Sequence, residues 1–383
     1  MHPLNRTLAL CLTLGLTCCG NEGDGGQSPA ATAGSAGMAS GGSAAPQAGS
    51  GGTGLAGTTS GAGGGGQASN GGTSGAGTSS GGAGTSGGGT SSGNGGGGTG
   101  GSGGAAPTKL WECPPGPFPT PKVGTTENLC MGFNYAFNYL EGPTWVKADN
   151  ALYFSNFNIY KGTGGNILKY SLGGQCEVFI TDVGCNGLAV GVDGTLLGAC
   201  QQSRSVQSYK LATKAATTLA AQYMDKMLDT PNDIVVRSNG AVYFTNRTAE
   251  LDGRPVGFGS GVFWIDPKGT LALIHKGDDG NGIALSPDER TLYVNNVASW
   301  ALDENGVPGM QGPKIVSGDG LAADCAGNLY MNSGQIVNAQ GQNVGNFPGG
   351  TNMAFGGPDG TTLFVVSGGG NLRALHMNLP GIP

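Results

Sequence analysis

Six polar side chains stand at the start of six similar stretches of this sequence, and their residue types suit metal chemistry. They are Glu141, Asn186, Asn232, Asn281, Asp319 and Asn352. Carboxylate and amide oxygens are the ligands that Ca²⁺ takes in proteins, where about six to eight oxygens, water included, surround the ion. If the six stretches converge on one point, the sequence predicts a hard-cation site in which two of these residues carry negative charge.

The rival interpretation is that these residues only begin turns and strands. Asn-Gly and Asp-Gly are common turn dipeptides, and their side chains often satisfy backbone groups where a strand starts. Two departures favour the metal site. Glu141 places a longer carboxylate where a turn would take Asn, and Asn232 is followed by Asp233 instead of Gly.

The six stretches share one pattern: a polar pair, a short apolar strand, a Gly or Asp turn, and a second strand rich in Tyr, Phe and Val. They span residues 142–156, 186–200, 230–246, 281–296, 319–333 and 352–367. The second residue of the pair recurs at intervals of 33 to 49 residues, which is typical of a propeller blade with four antiparallel strands. The predicted fold class is therefore all-β, a six-bladed β-propeller over residues 109–383.

The start of the chain has the composition of a targeting segment. The residues MHPLNRTLALCLTLGLTCCG contain one Arg and an apolar run too short to span a bilayer, as in a secretory signal. Residues 1–19 are predicted to be a lipoprotein-type signal peptide with Cys19 lipidated; Cys18 is the alternative, and an ordinary signal peptide is the competing interpretation. We expect export to a bacterial cell envelope, with a lipid anchor at the outer membrane or cell surface as the only membrane contact.

Residues 20–108 are rich in Gly, Ser, Thr and Ala, and none is charged from Gly25 to Thr108. With so little apolar surface to bury, this region is predicted to be a disordered linker. The whole chain carries a formal net charge of −6 and lacks the basic, aromatic-interleaved patch of nucleic-acid binding. We expect a monomer that acts on a small molecule.

Of the nine cysteines, six fall in the propeller region. An even number in an exported chain indicates disulfides, although six cysteines allow fifteen complete pairings. Cys113 with Cys130 is the favoured pair because both precede the first blade. A zinc site is the competing interpretation, but the sequence contains no CxxC pair.

The motifs LEGPTW, TPNDIVV, NGIALSPD, GDGLAAD and TNMAFGGPDGTTLFV resemble those of the senescence-marker-protein, regucalcin and gluconolactonase family, from about Leu140 to Pro380. The resemblance implies a six-bladed propeller with one divalent ion on its axis; calcium is expected, and zinc or manganese are alternatives. Carried over motif by motif, it implies four metal ligands: Glu141, Asn232, Asn281 and Asp319.

The resemblance also implies a hydrolase that opens a lactone, a cyclic ester. A divalent ion can polarise the carbonyl and lower the pKa of a bound water while a carboxylate takes the proton, and Asp319 is the candidate catalytic base. The alternative is a cell-surface binding propeller with a structural metal. In that case Asn186 and Asn352 would complete the coordination of the metal. An open coordination position would distinguish the two.

Four residues are candidate substrate contacts: Asn186, Thr230, Trp300 and Asn352. Thr230 stands where relatives that bind sugar lactones often carry a basic residue, which argues against an aldonolactone. Two segments look longer than blade turns, 247–260 and 298–314, and long connections often cover a site. They are predicted to contribute Phe258, Trp300 and Met310 to a pocket wall.

Two further groups have structural interpretations. His275 and His376 lie in apolar strand patterns and are expected to be structural. Tyr135, Phe137 and Tyr139 alternate before the first blade and are predicted to form the strand that closes the ring against the last blade.

Overall fold

A computed structural model describes residues 109–137, 139–158 and 164–383. The predicted signal peptide, with Cys18 and Cys19, and the predicted linker lie outside the described residues. The described chain folds into β-strands and one short 3-10 helix, Lys147–Asp149. Within these ranges no helix is both long enough and apolar enough to cross a membrane.

Six four-stranded antiparallel sheets form the six predicted blades. The first strand along the chain, β1 (Val123–Leu129), belongs to the last blade. Blade 1 contains β2 (Tyr139–Val146), β3 (Ala151–Phe157), β4 (Gly165–Ser171) and β5 (Cys176–Ile180). Blade 2 contains β6 (Cys185–Val190), β7 (Leu196–Cys200), β8 (Ser205–Tyr209) and β9 (Ala216–Ala220). A small hairpin follows, made of β10 (Gln222–Tyr223) and β11 (Lys226–Met227).

The remaining blades follow in chain order. Blade 3 contains β12 (Thr230–Val236), β13 (Val242–Arg247), β14 (Gly261–Ile265) and β15 (Leu271–Lys276). Blade 4 contains β16 (Ile283–Leu285), β17 (Thr291–Val294), β18 (Ala298–Leu302) and β19 (Pro308–Gln311). Blade 5 contains β20 (Leu321–Ala323), β21 (Leu329–Met331), β22 (Gln335–Val337) and β23 (Asn343–Asn346). Blade 6 contains β24 (Asn352–Gly356), β25 (Thr362–Ser367), β26 (Asn371–Met377) and β1. In every blade the innermost strand is the short apolar strand that follows the polar pair of the repeat.

The ring closes by pairing the first strand of the chain with the last. Strand β1 lies antiparallel to β26, with Asn128 opposite Arg373. The prediction that residues 135–139 close the ring is therefore wrong, because Tyr139 begins the innermost strand of blade 1 and Tyr135 lies before it outside any strand. Most of β1 is exposed, so its sequence VGTTENL lacks the apolar alternation by which a strand is recognised.

Aromatic and aliphatic side chains fill the space between neighbouring blades. Trp145 of blade 1 stacks on Phe364 of blade 6, with ring centroids 5.5 Å apart, and Tyr330 of blade 5 meets Phe355 of blade 6 edge-on at 5.1 Å. Burying a large apolar side chain of this kind contributes roughly 1.5–3 kcal/mol. The inter-blade layers thus hold the innermost strands at fixed positions around the axis.

All six cysteines of the described chain are paired, but not as predicted. The disulfides are Cys113–Cys325, Cys130–Cys176 and Cys185–Cys200, so the predicted pairing of Cys113 with Cys130 is wrong. Sequence proximity was misleading because the chain crosses from blade 5 to blade 6 between these two cysteines. Cys130 follows β1 and meets the outermost strand of blade 1, whereas Cys113 is tied to blade 5.

Replacing both cysteines of the Cys113–Cys325 bridge by Ser should destabilise the protein most. This bridge closes a sequence separation of 212 residues, compared with 15 for Cys185–Cys200. In the chain-entropy model the longer loop corresponds to about 5 kcal/mol and the shorter to about 3 kcal/mol. Urea unfolding of the two double variants without reductant checks the order; equal losses would contradict it.

Candidate active site

The six polar residues predicted to converge lie where the six innermost strands begin. Contacts between blades show the convergence: the Nδ2 of Asn281 donates to Oδ1 of Asp319 at 2.6 Å, and the Nδ2 of Asn352 donates to Oδ2 of Asp233 at 3.5 Å. Five of the six side chains are buried, and Asp319 is partly exposed. We call this set, together with Asp233, the axial cluster.

Glycine allows the innermost strands to approach one another at this point. A Cβ on Gly142 would lie 2.2 Å from the carbonyl oxygen of Asn186, and one on Gly320 would lie 2.4 Å from the Cα of Asn352. Gly187 and Gly282 are confined in the same way by blades 3 and 5. The Asn-Gly and Asp-Gly pairs are therefore explained by backbone packing at the axis, and not by turns.

Asp233 takes the place of glycine in blade 3 and connects three blades. Its carboxylate accepts the backbone N–H of Ile234 at 3.0 Å, the N–H of Ile283 in blade 4 at 3.2 Å and the amide of Asn352 in blade 6. Burial raises the pKa of Asp233 to about 7, and these hydrogen bonds oppose that rise. The sequence marked this residue only as a departure from the Asn-Gly pattern.

Burial raises the pKa values of the axial carboxylates, and neighbouring carboxylates raise those of Glu141 and Asp233 further. Burial, followed by the charges of Asp319 and Asp233, holds the pKa of Glu141 well above its usual range. Burial also raises the pKa of Asp319, whereas the charge of Arg247 and hydrogen bonds from Asn281 and Tyr139 lower it. A buried, acid-rich site of this kind favours the binding of a cation.

Glu250 and Tyr139 belong to the site although the sequence did not reveal them. The hydroxyl of Tyr139 donates to Oδ2 of Asp319 at 3.4 Å. The Oε2 of Glu250 accepts from the hydroxyl of Thr230 at 3.3 Å and from Nε2 of Gln201 at 3.2 Å. No repeat pattern could indicate Glu250 because it lies in the 247–260 connection, although that connection was predicted to cover the site.

Arg247 lies directly opposite Thr230 in the β12–β13 ladder. Its guanidinium donates to Oε1 of Glu250 at 2.8 Å and to Oδ2 of Asp279 at 3.0 Å. A positively charged side chain, that of Arg247 on the neighbouring strand, therefore lies beside Thr230. The absence of a basic residue at position 230 does not make this part of the site uncharged.

Three predicted pocket residues lie elsewhere. Segment 298–314 is not a long loop, because it contains β18 and β19. Trp300 is buried in the apolar core around blade 4, Phe258 is buried against Phe263, and Met310 is 84% exposed on an outermost strand. Their apolar character reflects inter-blade packing for the first two, so the predicted pocket wall is wrong at these positions.

His275 and His376 lie on outer strands of their blades, and each contacts a carboxylate. The Nε2 of His275 lies 2.7 Å from Asp278, and that of His376 lies 3.3 Å from Glu127. The structure thus places both histidines away from the axial cluster, as their strand patterns indicated.

A cavity of about 640 Å³ lies on the axis. It is lined by apolar residues of the innermost strands, by Asp233 and Asn352, and by the segment around Trp111. Neither Glu141 nor Asp319 lines it. In the described ranges no three side chains of His, Cys, Asp or Glu are arranged to hold a metal together; the axial cluster is a mixed set of carboxylates and amides.

Fold and site together define a six-bladed propeller with a polar cluster on its axis. The family model for the SMP-30/gluconolactonase/LRE-like region matches residues 140–369, and the chain belongs to this family. A gluconolactonase of Zymomonas mobilis is 31% identical over 256 residues, covering 60% of this chain and 69% of the relative.

Solved structures of the family share the fold. A gluconolactonase of Xanthomonas campestris matches with a TM-score of 0.58 at 23% identity, covering 70% of this chain and 100% of that one. A calcium-binding regucalcin of Agrobacterium tumefaciens matches with a TM-score of 0.52 at 21% identity, covering 64% and 93%. At these identities the two structures show the common architecture alone.

Replacing Gly320 by Ala should destabilise the protein by about 1–3 kcal/mol, the usual range for overpacking, because the new Cβ would overlap the backbone of Asn352. Gly309 to Ala is the control: its Cβ would meet only the carbonyl of Ala301, at 3.5 Å. Denaturant unfolding measures both. Equal effects would contradict the packing role of the axial glycines.

Proposed function

We propose that this protein is a metal-dependent lactonase, which opens a cyclic ester with a divalent ion held on the propeller axis. The observation that carries the proposal is the axial cluster: it brings one oxygen-bearing side chain from each of the six blades to the axis, and Asp319 is the one partly exposed carboxylate among the predicted ligands. Membership of the gluconolactonase-like family supports the reaction class, and the named activity of the Zymomonas relative supports it further.

The residues present fit a divalent cation, with calcium as the expected ion. The predicted ligands Glu141, Asn232, Asn281 and Asp319 offer only oxygen, which suits a hard ion. The carboxylates of Glu141, Asp319 and Asp233 lie close enough to raise the pKa of Glu141, so a bound cation would relieve their mutual repulsion. When bound, such an ion supplies a Lewis acid for the ester carbonyl and lowers the pKa of a coordinated water.

Asp319 is the proposed general base. Its Oδ1 accepts from Asn281 and its Oδ2 from Tyr139, so both oxygens are oriented while the side chain stays reachable from solvent. In the proposed reaction Asp319 takes a proton from the attacking water as the new C–O bond forms. The ring C–O bond then breaks, and the proton passes to the departing alkoxide, which yields a hydroxy acid.

The state of Asn352 favours an open site over a purely structural metal. Its Oδ1 accepts the backbone N–H of Met353 at 2.8 Å, and its Nδ2 faces Asp233. The Asn352 amide is thus held by protein partners, with its carbonyl oxygen turned to its own strand, whereas the Asp319 carboxylate remains partly exposed. This favours a site that a substrate can reach over the binding-propeller alternative, in which Asn186 and Asn352 would complete the coordination.

Export of the protein is part of the same proposal. Three disulfides in the described chain suit an oxidising compartment, in agreement with the predicted signal peptide. A lipid anchor at Cys19 would keep the enzyme at the cell envelope, where a small-molecule lactone is its expected substrate.

Replacing Asp319 by Ala should reduce lactone hydrolysis by at least about 10²-fold, the usual contribution of a positioned general base, and leave the fold intact. Hydrolysis of a panel of γ- and δ-lactones and aryl esters is measured with calcium, zinc or manganese, and with a chelator. Asp266 to Ala, in an exposed turn of blade 3, is the control. Full activity of the Asp319 variant would refute the assigned base.

Replacing Glu141 by Gln should weaken calcium binding because it removes a buried negative charge from the ligand set while it preserves the shape of the side chain. The readout is the rise of the melting temperature with calcium concentration, which depends on affinity. If the variant and the original protein responded to the same calcium concentrations, Glu141 would not be a ligand.

A further inference from the structure

Arg247 joins a strand of blade 3 to two carboxylates on different segments. One guanidinium nitrogen donates to Glu250 at 2.8 Å, and the other two donate to Asp279 at 3.0 and 3.3 Å. The side chains of Arg247 and Glu250 are only 16% and 13% exposed, so solvent screens this pair weakly. Because the two contacts of Arg247 involve different carboxylates, Glu250 and Asp279, each contact can be tested separately.

Glu250 determines which end of the Asn232 amide faces the axis. Both carboxylate oxygens of Glu250 lie 3.4 Å from Nδ2 of Asn232. An ionised carboxylate can only accept hydrogen bonds, whereas an amide has one donor end and one acceptor end. The nitrogen of Asn232 must therefore face Glu250, and this leaves its oxygen for the axial cluster.

Arg247 is not needed to fix the backbone of the connection that carries Glu250. Asp229 accepts the N–H groups of Gly257 and Gly259 at 2.6 Å each, and Asp279 accepts the N–H of Thr248 at 3.2 Å. Both ends of the 247–260 connection are thus held by other carboxylates. What Arg247 adds is a cation beside Glu250.

We propose that Arg247 is a positioning residue for the axial site: by pairing with Glu250 it holds that carboxylate against Asn232, so that the Asn232 oxygen is presented to a divalent cation. This inference rests on the proposed function, since it assigns Asn232 as a metal ligand. Arg247 orients Asn232 through Glu250 and does not itself touch the cation; its charge also lowers the pKa of Asp319.

The test is a double-mutant cycle read out by calcium affinity, measured by competition with a chromophoric chelator. Arg247→Met and Glu250→Ala should each raise the calcium dissociation constant by about ten- to a hundredfold, the usual range for residues that orient a metal ligand. Glu250→Gln should lose less, because its amide oxygen can still accept from Asn232. In the Arg247→Met/Glu250→Ala double variant the loss should be close to that of Glu250→Ala alone, because Arg247 orients Asn232 through Glu250.

Two controls separate positioning from general structure. Asp279→Asn removes the charge that Arg247 meets at Asp279, while the remaining amide oxygen can still accept the Thr248 N–H, and it should change calcium affinity much less than Arg247→Met does. Arg290→Met removes an exposed guanidinium in the turn between β16 and β17 and should have no effect.

Three results would overturn the inference: unchanged affinity in Arg247→Met, losses that multiply in the double variant, or no calcium binding by the original protein. Calcium binding without hydrolysis of any lactone would instead refute the proposed function and leave the role of Arg247 supported by the cycle.

Discussion

Backbone contact between innermost strands is the constraint on which the rest of this structure depends. Each blade places its first strand against the next around one axis, and at four blades the contact is so close that only glycine fits. Because a polar residue immediately precedes each of these glycines, close packing also brings the polar side chains to one place. The axial cluster is thus a consequence of how the innermost strands pack around the axis.

Gathering acids at the axis has an electrostatic cost that the protein alone offsets only in part. Glu141, Asp233 and Asp319 are removed from most of the solvent, and burial raises the pKa of each. Hydrogen bonds from Asn281, Asn352 and backbone N–H groups oppose the rise, as does the charge of Arg247. A site with more buried carboxylates than nearby cations is a natural receptor for a divalent ion, and this links the packing constraint to the proposed chemistry.

The sequence correctly predicted the features that recur in every blade, but it did not predict those that occur once in the chain, such as the closing strand and the disulfides. Six copies of one pattern were enough for the blade number, the innermost strands and the residues at their starts. The closing strand β1 was missed because an exposed edge strand has no apolar alternation, and the disulfides were mispaired because they depend on which blades meet. Trp300 was assigned to a pocket because a buried aromatic of the core and one in a binding site have the same sequence signal.

The residues of the site that the repeat pattern did not indicate are those that can be substituted without changing the packing of the ring. Asn232 belongs to β12 and is fixed by strand packing, but the orientation of its amide is set by Glu250 from a connection between strands. Thr230 is a second example. It is uncharged, but Arg247, the residue opposite it in the β12–β13 ladder, supplies a positive charge. Substitutions in the 247–260 connection can therefore change the charge and hydrogen bonding around the axial cluster while the six blades stay as they are. In this structure the ring sets the position of the axial cluster, and the connections set the charges and hydrogen bonds around it.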